Sequence, residues 1–332
     1  MNEQLNRNTV RIYACGGCGV NIGSRLEKYR NASDPTLAAI DVSYIDTSRS
    51  NLKHLQVADD STYLFPVIDG SGGIRKENAK EVSVKIADIL DQYEPHALNI
   101  VIHSASGGSG SVIGPSLVSS LLEAKKAVVV LMVGESSTRL DAQNTLNTLK
   151  SYDAIAQMRA APVVLSYQQN SRDNPRSKVD AEIEGTAVSL AILWSGNNRE
   201  LDSKDLFNFL NFHIPTTFEP QVAHLTLIQP GIELSDKVGQ VISVATLAQI
   251  DQDTSLDPAP EVQYRGFLAD GAPERIADTL PTHFFVTDGI FDEVNALLKS
   301  TLKQHEVQQQ SRTHKEGFLT DADQPTHSGL IL

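Results

Sequence analysis

The feature that most constrains this chain is a glycine- and serine-rich stretch, His103-Ser-Ala-Ser-Gly-Gly-Ser-Gly-Ser111. An apolar run at 98–102 precedes it, and an apolar helical pattern at 115–124 follows. A short run that is apolar but for Asn99 suits a strand buried on both faces. The glycines then let several backbone N–H groups turn toward one anion. The serine hydroxyls add donors, and the start of the next helix adds the positive end of its dipole. Strand, glycine loop and helix in that order describe a phosphate cradle at the carboxyl end of a parallel strand, where open α/β sheets hold ligands. No Lys follows the glycines, so this is not a Walker-type loop.

The first half repeats this rhythm. Strand-like runs at 10–14, 38–45, 98–102, 127–133 and 162–167 alternate with helical patterns at 23–30, 78–93, 115–124 and 141–156. That alternation predicts a parallel sheet covered by helices on both faces. Two more glycine clusters lie between strand-like runs and helices, Cys15-Gly-Gly-Cys-Gly-Val-Asn-Ile-Gly23 and Asp69-Gly-Ser-Gly-Gly-Ile-Arg75. The first fails the dinucleotide fingerprint. Counting from Gly17, the third glycine would fall on Ile22; counting from Gly16, the second would fall on Cys18. Cys15 and Cys18 also spell C-x-x-C, but the chain has 2 cysteines and no His pair nearby, so a zinc site would lack two ligands. The plainer reading is that Cys15 ends a buried strand and Cys18 lines a loop. Three such clusters suggest loops converging on one polyphosphate.

The second half changes character. A long helix is expected over 180–195, with Ile183, Ala187, Leu190, Ala191 and Trp194 on one stripe. Strand-like runs follow at 222–228, 240–247, 262–267 and 283–286, and a last helix at 291–310. The expected organisation is a Rossmann-like nucleotide-binding domain at 1–179, a central helix at 180–198, a smaller mixed-sheet α+β domain at 199–310, and a polar tail at 311–332. The tail carries Asp321 and Asp323 and ends in Leu330-Ile331-Leu332. The segment Leu201-Asp-Ser-Lys-Asp-Leu206 reads on its own as a helix start, with Asp202 as N-cap and Asp205 three residues on. The 41 acids outnumber the 28 bases, a formal charge of −13, so the summed field opposes broad binding to nucleic acid or anionic membrane. No apolar run approaches the roughly 18 residues that span a bilayer. The polar N-terminus lacks a signal-peptide core, so the expected location is the reducing cytoplasm.

These loops, in this order, resemble the tubulin/FtsZ superfamily. Its signature is a small residue, Gly-Gly-Thr-Gly, Ser or Ala, then Gly. Ser106-Gly-Gly-Ser-Gly-Ser-Val112 is similar, with Ser109 for Thr and Val112 for the last Gly. Gly16-Gly-Cys-Gly-Val-Asn-Ile-Gly23 is similar to the tubulin run Gly-Gln-Cys-Gly-Asn-Gln-Ile-Gly. The Asp202 and Asp205 segment resembles an FtsZ segment whose two acids act on nucleotide bound by the neighbouring subunit. The resemblance spans about 10–310, and among branches it is strongest to the bacteriophage tubulins, on the run Ser109-Gly-Ser-Val-Ile-Gly-Pro115 and the acidic, apolar-ended tail.

The resemblance implies a GTPase that binds GTP and GDP with Mg²⁺ held mainly by phosphates and water. Gly17, Cys18 and Gly19 would face the α/β-phosphates, with Asn21 near base and phosphates. Gly107, Gly108, Ser109 and Gly110 would wrap the β/γ-phosphates beside Ser104, and Gly72 and Gly73 would sense the γ-phosphate. Asp46 would lie near Mg²⁺ or ribose. Asp141, before a run like tubulin's Tyr-Asn-Ala-Thr-Leu, is a ribose candidate. Asp180 is the base candidate, since a carboxylate takes both N1–H and the exocyclic amine of guanine; Asn170 is a second base contact. Asp202 and Asp205 would be catalytic on the next subunit's GTP. The implied partner is the chain itself, in a head-to-tail filament steadied by the tail, and the implied task is to position phage DNA or a replication compartment. A plasmid-partitioning filament is the alternative within the family. From another class, a nucleotide-binding oxidoreductase would use the glycine loop and the C-x-x-C.

Overall fold

In β1 (Thr9–Cys15) successive residues belong to opposite layers, as the two-residue period of a strand requires. Val10, Ile12 and Ala14 join one buried cluster, while Tyr13 and Cys15 join another. The computed structural model describes residues 8–310 apart from 31, 54, 56, 58, 67–69, 232–238 and 269–273. The tail expected at 311–332, with Asp321 and Asp323, lies outside the described residues.

After β1 come α1 (Gly16–Leu26), β2 (Ala39–Asp46), β3 (Thr62–Leu64), α2 (Arg75–Gln92), β4 (Leu98–Ser104), α3 (Gly110–Glu123), β5 (Val128–Gly134), α4 (Arg139–Arg159), β6 (Val163–Gln169) and α5 (Arg176–Leu193). The rest is β7 (Asn198–Arg199), α6 (Ser203–Leu210), β8 (Val222–Ile228), β9 (Val241–Gln249), β10 (Gln263–Leu268), α7 (Glu274–Ala277), β11 (Thr282–Thr287) and α8 (Ile290–Gln310). The strands form one sheet in the order β3-β2-β1-β4-β5-β6-β8-β11-β9-β10-β7. From β3 to β8 every pairing is parallel, while β11 runs antiparallel to both its neighbours. The parallel part and the mixed part are therefore continuous, joined where Val163 pairs with Val222.

Helices cover both faces. Val20 and Ile22 of α1, Ile183 and Leu190 of α5 and Phe209 of α6 pack in one layer. Val82 of α2, Leu117 of α3, Leu149 of α4 and Leu298 of α8 pack in the other. β5 is buried at every position, which explains why its sequence shows no alternation.

α5 sets the distance between the two ends of the sheet. Val179, Ile183, Ala187, Leu190 and Ala191 bury one stripe of it. Near its end, Ala191 O accepts from Ala38 N, and Ser195 O accepts from Asn8 N, both at the amino ends of strands. Asp180, near its start, lies close to α1 at the carboxyl ends. From Asp180 to Leu193 a helix rises about 20 Å.

Two helices begin earlier than the apolar pattern predicts. α1 starts at Gly16, not residue 23, and α3 at Gly110, not residue 115. Glycine's poor propensity makes these first turns read as loops. Yet a first helical turn needs no intrahelical partners for its N–H groups, and tertiary packing supplies the rest. β3, β7 and α7 are too short to carry a sequence period, and the pattern did not predict them. Among the described residues, no helix is long and apolar enough to cross a membrane.

Candidate nucleotide site

Strand-to-helix turns at the carboxyl ends of β1, β2 and β4, with the turn before α2, enclose a cavity of about 200 Å³. The glycine segments meet there backbone to backbone. Gly16 has φ +67, and a Cβ on it would sit 2.7 Å from Gly110 N. A Cβ on Gly108 would collide with Ser71 Oγ and lie 2.9 Å from the Gly73 carbonyl carbon. Side chains of any size would push these turns apart and close the space.

The cavity is built to receive negative charge. α1 and α3 both point their first turns at it, and neither has a side-chain cap or an acid in that turn. The first-turn N–H groups of α1, those of Gly16, Gly17 and Cys18, have no intrahelical acceptor. In α3, Val112 and Ile113 donate to Ser109 O, which leaves Gly110 and Ser111 as the first donors. Two uncapped helix starts with their dipoles converging are an anion site without any basic side chain.

Hydroxyls join the turns into one frame. Ser109 Oγ lies 2.5 Å from Thr47 Oγ1, and at 3.4 Å from both Asn78 Nδ2 and Ser71 Oγ. Ser104 Oγ pairs with Ser106 Oγ at 2.9 Å. Gly70 N donates to Thr47 O, and Ile74 N to Ser71 O, closing the turn before α2.

The expected residues fall into three groups. Gly17, Cys18, Ser104, Gly107, Gly108, Ser109 and Gly110 all line the cavity. Gly72 and Gly73 continue the turn that brings Gly70 and Ser71 to it. Asn21 and Asp180 meet just beyond Cys18: Asn21 Nδ2 and Arg25 Nη2 donate to Asp180 Oδ2 at 3.0 and 3.1 Å. Asp180 is 2 % exposed, and its Oδ1 has no partner among the described residues. That oxygen is an acceptor with nothing to accept from, which suits a ligand offering N–H donors.

Other expected residues are placed differently. Gly19 is outside the cavity lining and faces the sheet, where a Cβ would collide with Ile102 O, so it serves the packing of α1 on β4. Asp46 lies beneath the cavity, not in its lining. It is 1 % exposed, and its oxygens accept from Thr47 N, Ser48 N and Asn51 Nδ2 at 2.7, 3.2 and 2.7 Å. Burial raises its pKa, against those hydrogen bonds. Asp141 sits in the first turn of α4, where Thr138 caps its N–H and donates to its carboxylate. It is outside the cavity lining, although Leu140 beside it packs near Gly73. Asn170 follows β6, its N–H bonded to Gly134 O and its Oδ1 buried with no partner among the described residues.

Asp202 and Asp205 form a full capping box on α6. Asp202 Oδ1 accepts from Lys204 N and Asp205 N at 2.7 and 2.9 Å, and Asp205 Oδ2 accepts from Asp202 N at 3.1 Å. Neither lines the cavity. They follow the far end of α5, which packs at the amino ends of β1 and β2, opposite the cavity.

Sequence reasoning missed Ser48, Asn51 and Ser71 in the lining, and Thr47 and Asn78 behind it. Thr47, Ser48 and Asn51 follow β2 without any glycine to mark a ligand turn. The two cysteines are free. Burial pushes the Cys18 thiol up to about 12 and the Cys15 thiol well above its usual value, the opposite of a reactive C-x-x-C pair. Among the described residues no group of three metal-ligating side chains occurs.

No protein-family model matches the chain. The phage tubulin-like protein of Pseudomonas phage phiKZ is 28% identical over 340 residues, 99% of each chain. That of Pseudomonas phage PhiPA3 is 28% identical over 336 residues, 99% of this chain and 100% of the relative. Among solved structures, the protofilament of TubZ from bacteriophage PhiKZ superposes with a TM-score of 0.83 at 27% identity, covering 97% of this chain and 99% of that one. The phage tubulin PhuZ with GDP shares the fold, with a TM-score of 0.82 at 22% identity over 97% and 99%. Loop order, sheet topology and full-length similarity agree: the chain is similar over nearly its whole length to phage tubulin-like proteins and shares their fold.

Proposed function

We propose that this chain is a GTPase that assembles head-to-tail into a cytoskeletal filament and hydrolyses GTP at the contact between subunits. The observation that carries this reading is the separation of its parts. The anion-binding cavity lies at the carboxyl ends of the parallel strands, and the paired acids Asp202 and Asp205 lie beyond the far end of α5. One molecule cannot bring its own acids to its own phosphates across about 20 Å of helix. Stacking one copy on the next places the acids of one over the cavity of the other. Such a contact does not close on itself and so propagates as a filament. The PhiKZ relative was solved as a protofilament, which supports the reading.

In that contact the helix starts and loop amides hold the phosphates, and the serines add donors. Gly72 and Gly73 face the γ-phosphate. Asp180 accepts from the guanine N1–H and amino group, and Asn21 holds its carboxylate in place. Asp202 and Asp205 of the next copy orient and polarise the attacking water, and positioning plus electrostatics supply most of what phosphoryl transfer needs. Mg²⁺ would neutralise phosphate charge, held by phosphate oxygens and water, since Asp46 has both oxygens engaged. The segment 311–332, with Asp321 and Asp323, contributes a contact to the next subunit. The resulting filament positions phage DNA or the replication compartment in the host cytoplasm. The test is pelleting and electron microscopy of the purified protein with GTP, GDP, ATP and a slowly hydrolysed GTP analogue. Filaments with GTP and the analogue alone support the reading; equal pelleting with ATP or without nucleotide overturns it.

A further inference from the structure

One stripe of α4 addresses the backbone of the loop after β4 residue by residue. Asn144, Thr148 and Tyr152 are spaced four apart, so they project from the same face. Asn144 Nδ2 donates to Ser106 O at 2.8 Å, and Thr148 Oγ1 lies 2.9 Å from Ala105 O. Tyr152 reaches Ser104 through His103. The Ser104 carbonyl can only accept, so His103 Nδ1 carries the proton in that 3.0 Å bond. Nε2 is then the acceptor for the Tyr152 hydroxyl at 2.5 Å. Three consecutive carbonyls, 104, 105 and 106, are thus held on the side away from the cavity. Their peptide planes are fixed, and with them the directions of the N–H groups that follow.

Asn144 does one thing more. The same amide nitrogen donates to Gly73 O at 2.8 Å. It bonds two turns that have no backbone hydrogen bond between them among the described residues, the 70–74 turn and the 104–110 loop. Arg75, one residue past the 70–74 turn, reinforces the clamp, donating to Asn144 O at 3.2 Å, to Thr148 Oγ1 and to Ser151 Oγ at 3.2 Å. Its guanidinium forms no ion pair among the described residues. Asn144 is 4 % exposed and Thr148 fully buried, so water does not compete for these bonds.

We propose that Asn144 is a positioning residue for the terminal phosphate, holding the 70–74 turn against the 104–110 loop so that both present donors to the same group. This rests on the nucleotide reading above. It assigns the discrimination between GTP and GDP to a side chain that touches neither. Without Asn144 the 104–110 loop keeps its Thr148 and His103 supports, while the 70–74 turn keeps only the long 3.4 Å contact of Ser71 Oγ with Ser109 Oγ. Binding of the phosphates gripped by the loop survives, and recognition of the third is lost.

The experiment measures Kd for GTP and GDP below the concentration of assembly, in magnesium buffer, for the wild-type chain and for Asn144→Ala. The expected result is about a tenfold loss in GTP affinity, the worth of one or two buried hydrogen bonds, with GDP affinity within about twofold. Equal losses for both nucleotides would make Asn144 a general structural residue and overturn the proposal, as would no loss for either. A wild-type chain that binds neither nucleotide overturns the nucleotide reading as well, so the two failures are distinguishable. Should Asn144→Ala not fold, hydrogen exchange on the wild-type chain decides the matter. Amides of 70–75 and of 144–148 should gain protection together with a GTP analogue and not with GDP; gains confined to one segment would overturn the proposal.

Discussion

Asp202 has a capping role visible in the structure and a proposed role on a neighbour's nucleotide, and two substitutions separate them. Asn caps a helix about as well as Asp, so Asp202→Asn retains the bonds to Lys204 N and Asp205 N and should change stability by only a few tenths of a kcal/mol. Asp202→Ala loses both bonds and half of the capping box, at a cost of about 1 kcal/mol. In a chain of this size that lowers the melting temperature by about 2 °C. Hydrolysis follows a different rule. Either substitution removes the carboxylate that orients water, so phosphate release should fall about 10²- to 10⁴-fold in both. The assay pairs calorimetric melting with phosphate release measured across protein concentration, since a site completed by a neighbour gives turnover only above an assembly threshold. Filaments of both variants should form and persist. If Asp202→Asn releases phosphate at the wild-type rate, or if turnover is proportional to protein with no threshold, the assignment of Asp202 to a neighbour's nucleotide is wrong and the residue is only a cap.

Gly108→Ala should abolish nucleotide binding, measured with fluorescent GTP, because the added methyl meets Ser71 and the Gly73 backbone; binding within twofold of wild type would show that the two turns separate freely. Asp180→Ala should reduce the preference for GTP over ATP about 10- to 100-fold in competition binding, the worth of hydrogen bonds to a buried carboxylate; an unchanged preference would remove Asp180 from base recognition. Burial lowers the pKa of His103 and of His224 from 6.5 to about 4, so the folded chain resists protons that the unfolded chain accepts. Their contribution to stability is intact above pH 6.5 and is lost as pH falls toward 4, about 2 kcal/mol each by pH 5. Urea midpoints at pH 7 and pH 5 check this, and equal midpoints would contradict it.

The parallel half of the sheet was legible because buried runs such as 100–102 and 128–133 are apolar throughout, and because glycine segments follow β1 and β4. The lining glycines were legible for the same reason, since close approach of three backbones tolerates nothing larger. What stayed hidden was of two kinds. The first turns of α1 and α3 carry glycine where propensity wants a side chain, so tertiary packing decided against local preference. Thr47, Asn78 and Asn144 are single polar residues whose partners are distant in sequence, and no local period marks them. Asp141, to which a short match to a tubulin run drew attention, sits at a helix start with Thr138 as its partner. The continuity of the sheet from β6 to β8 was also invisible, because α5, β7 and α6 intervene before the two strands pair.

None of the described residues lining the cavity bears an ionisable acid or base apart from two cysteines whose thiols stay protonated. An anion there is held by peptide dipoles and hydroxyls, which do not titrate in the physiological range. The protein's own contribution to affinity should then be almost flat with pH near neutrality, unlike that of a pocket built from histidine. The phosphate charge, left largely uncompensated by the protein, must be balanced from solution. The concentration and kind of dissolved cation become the control variable of such a site, and the electrolyte composition of the cell acts on it more directly than acidity does.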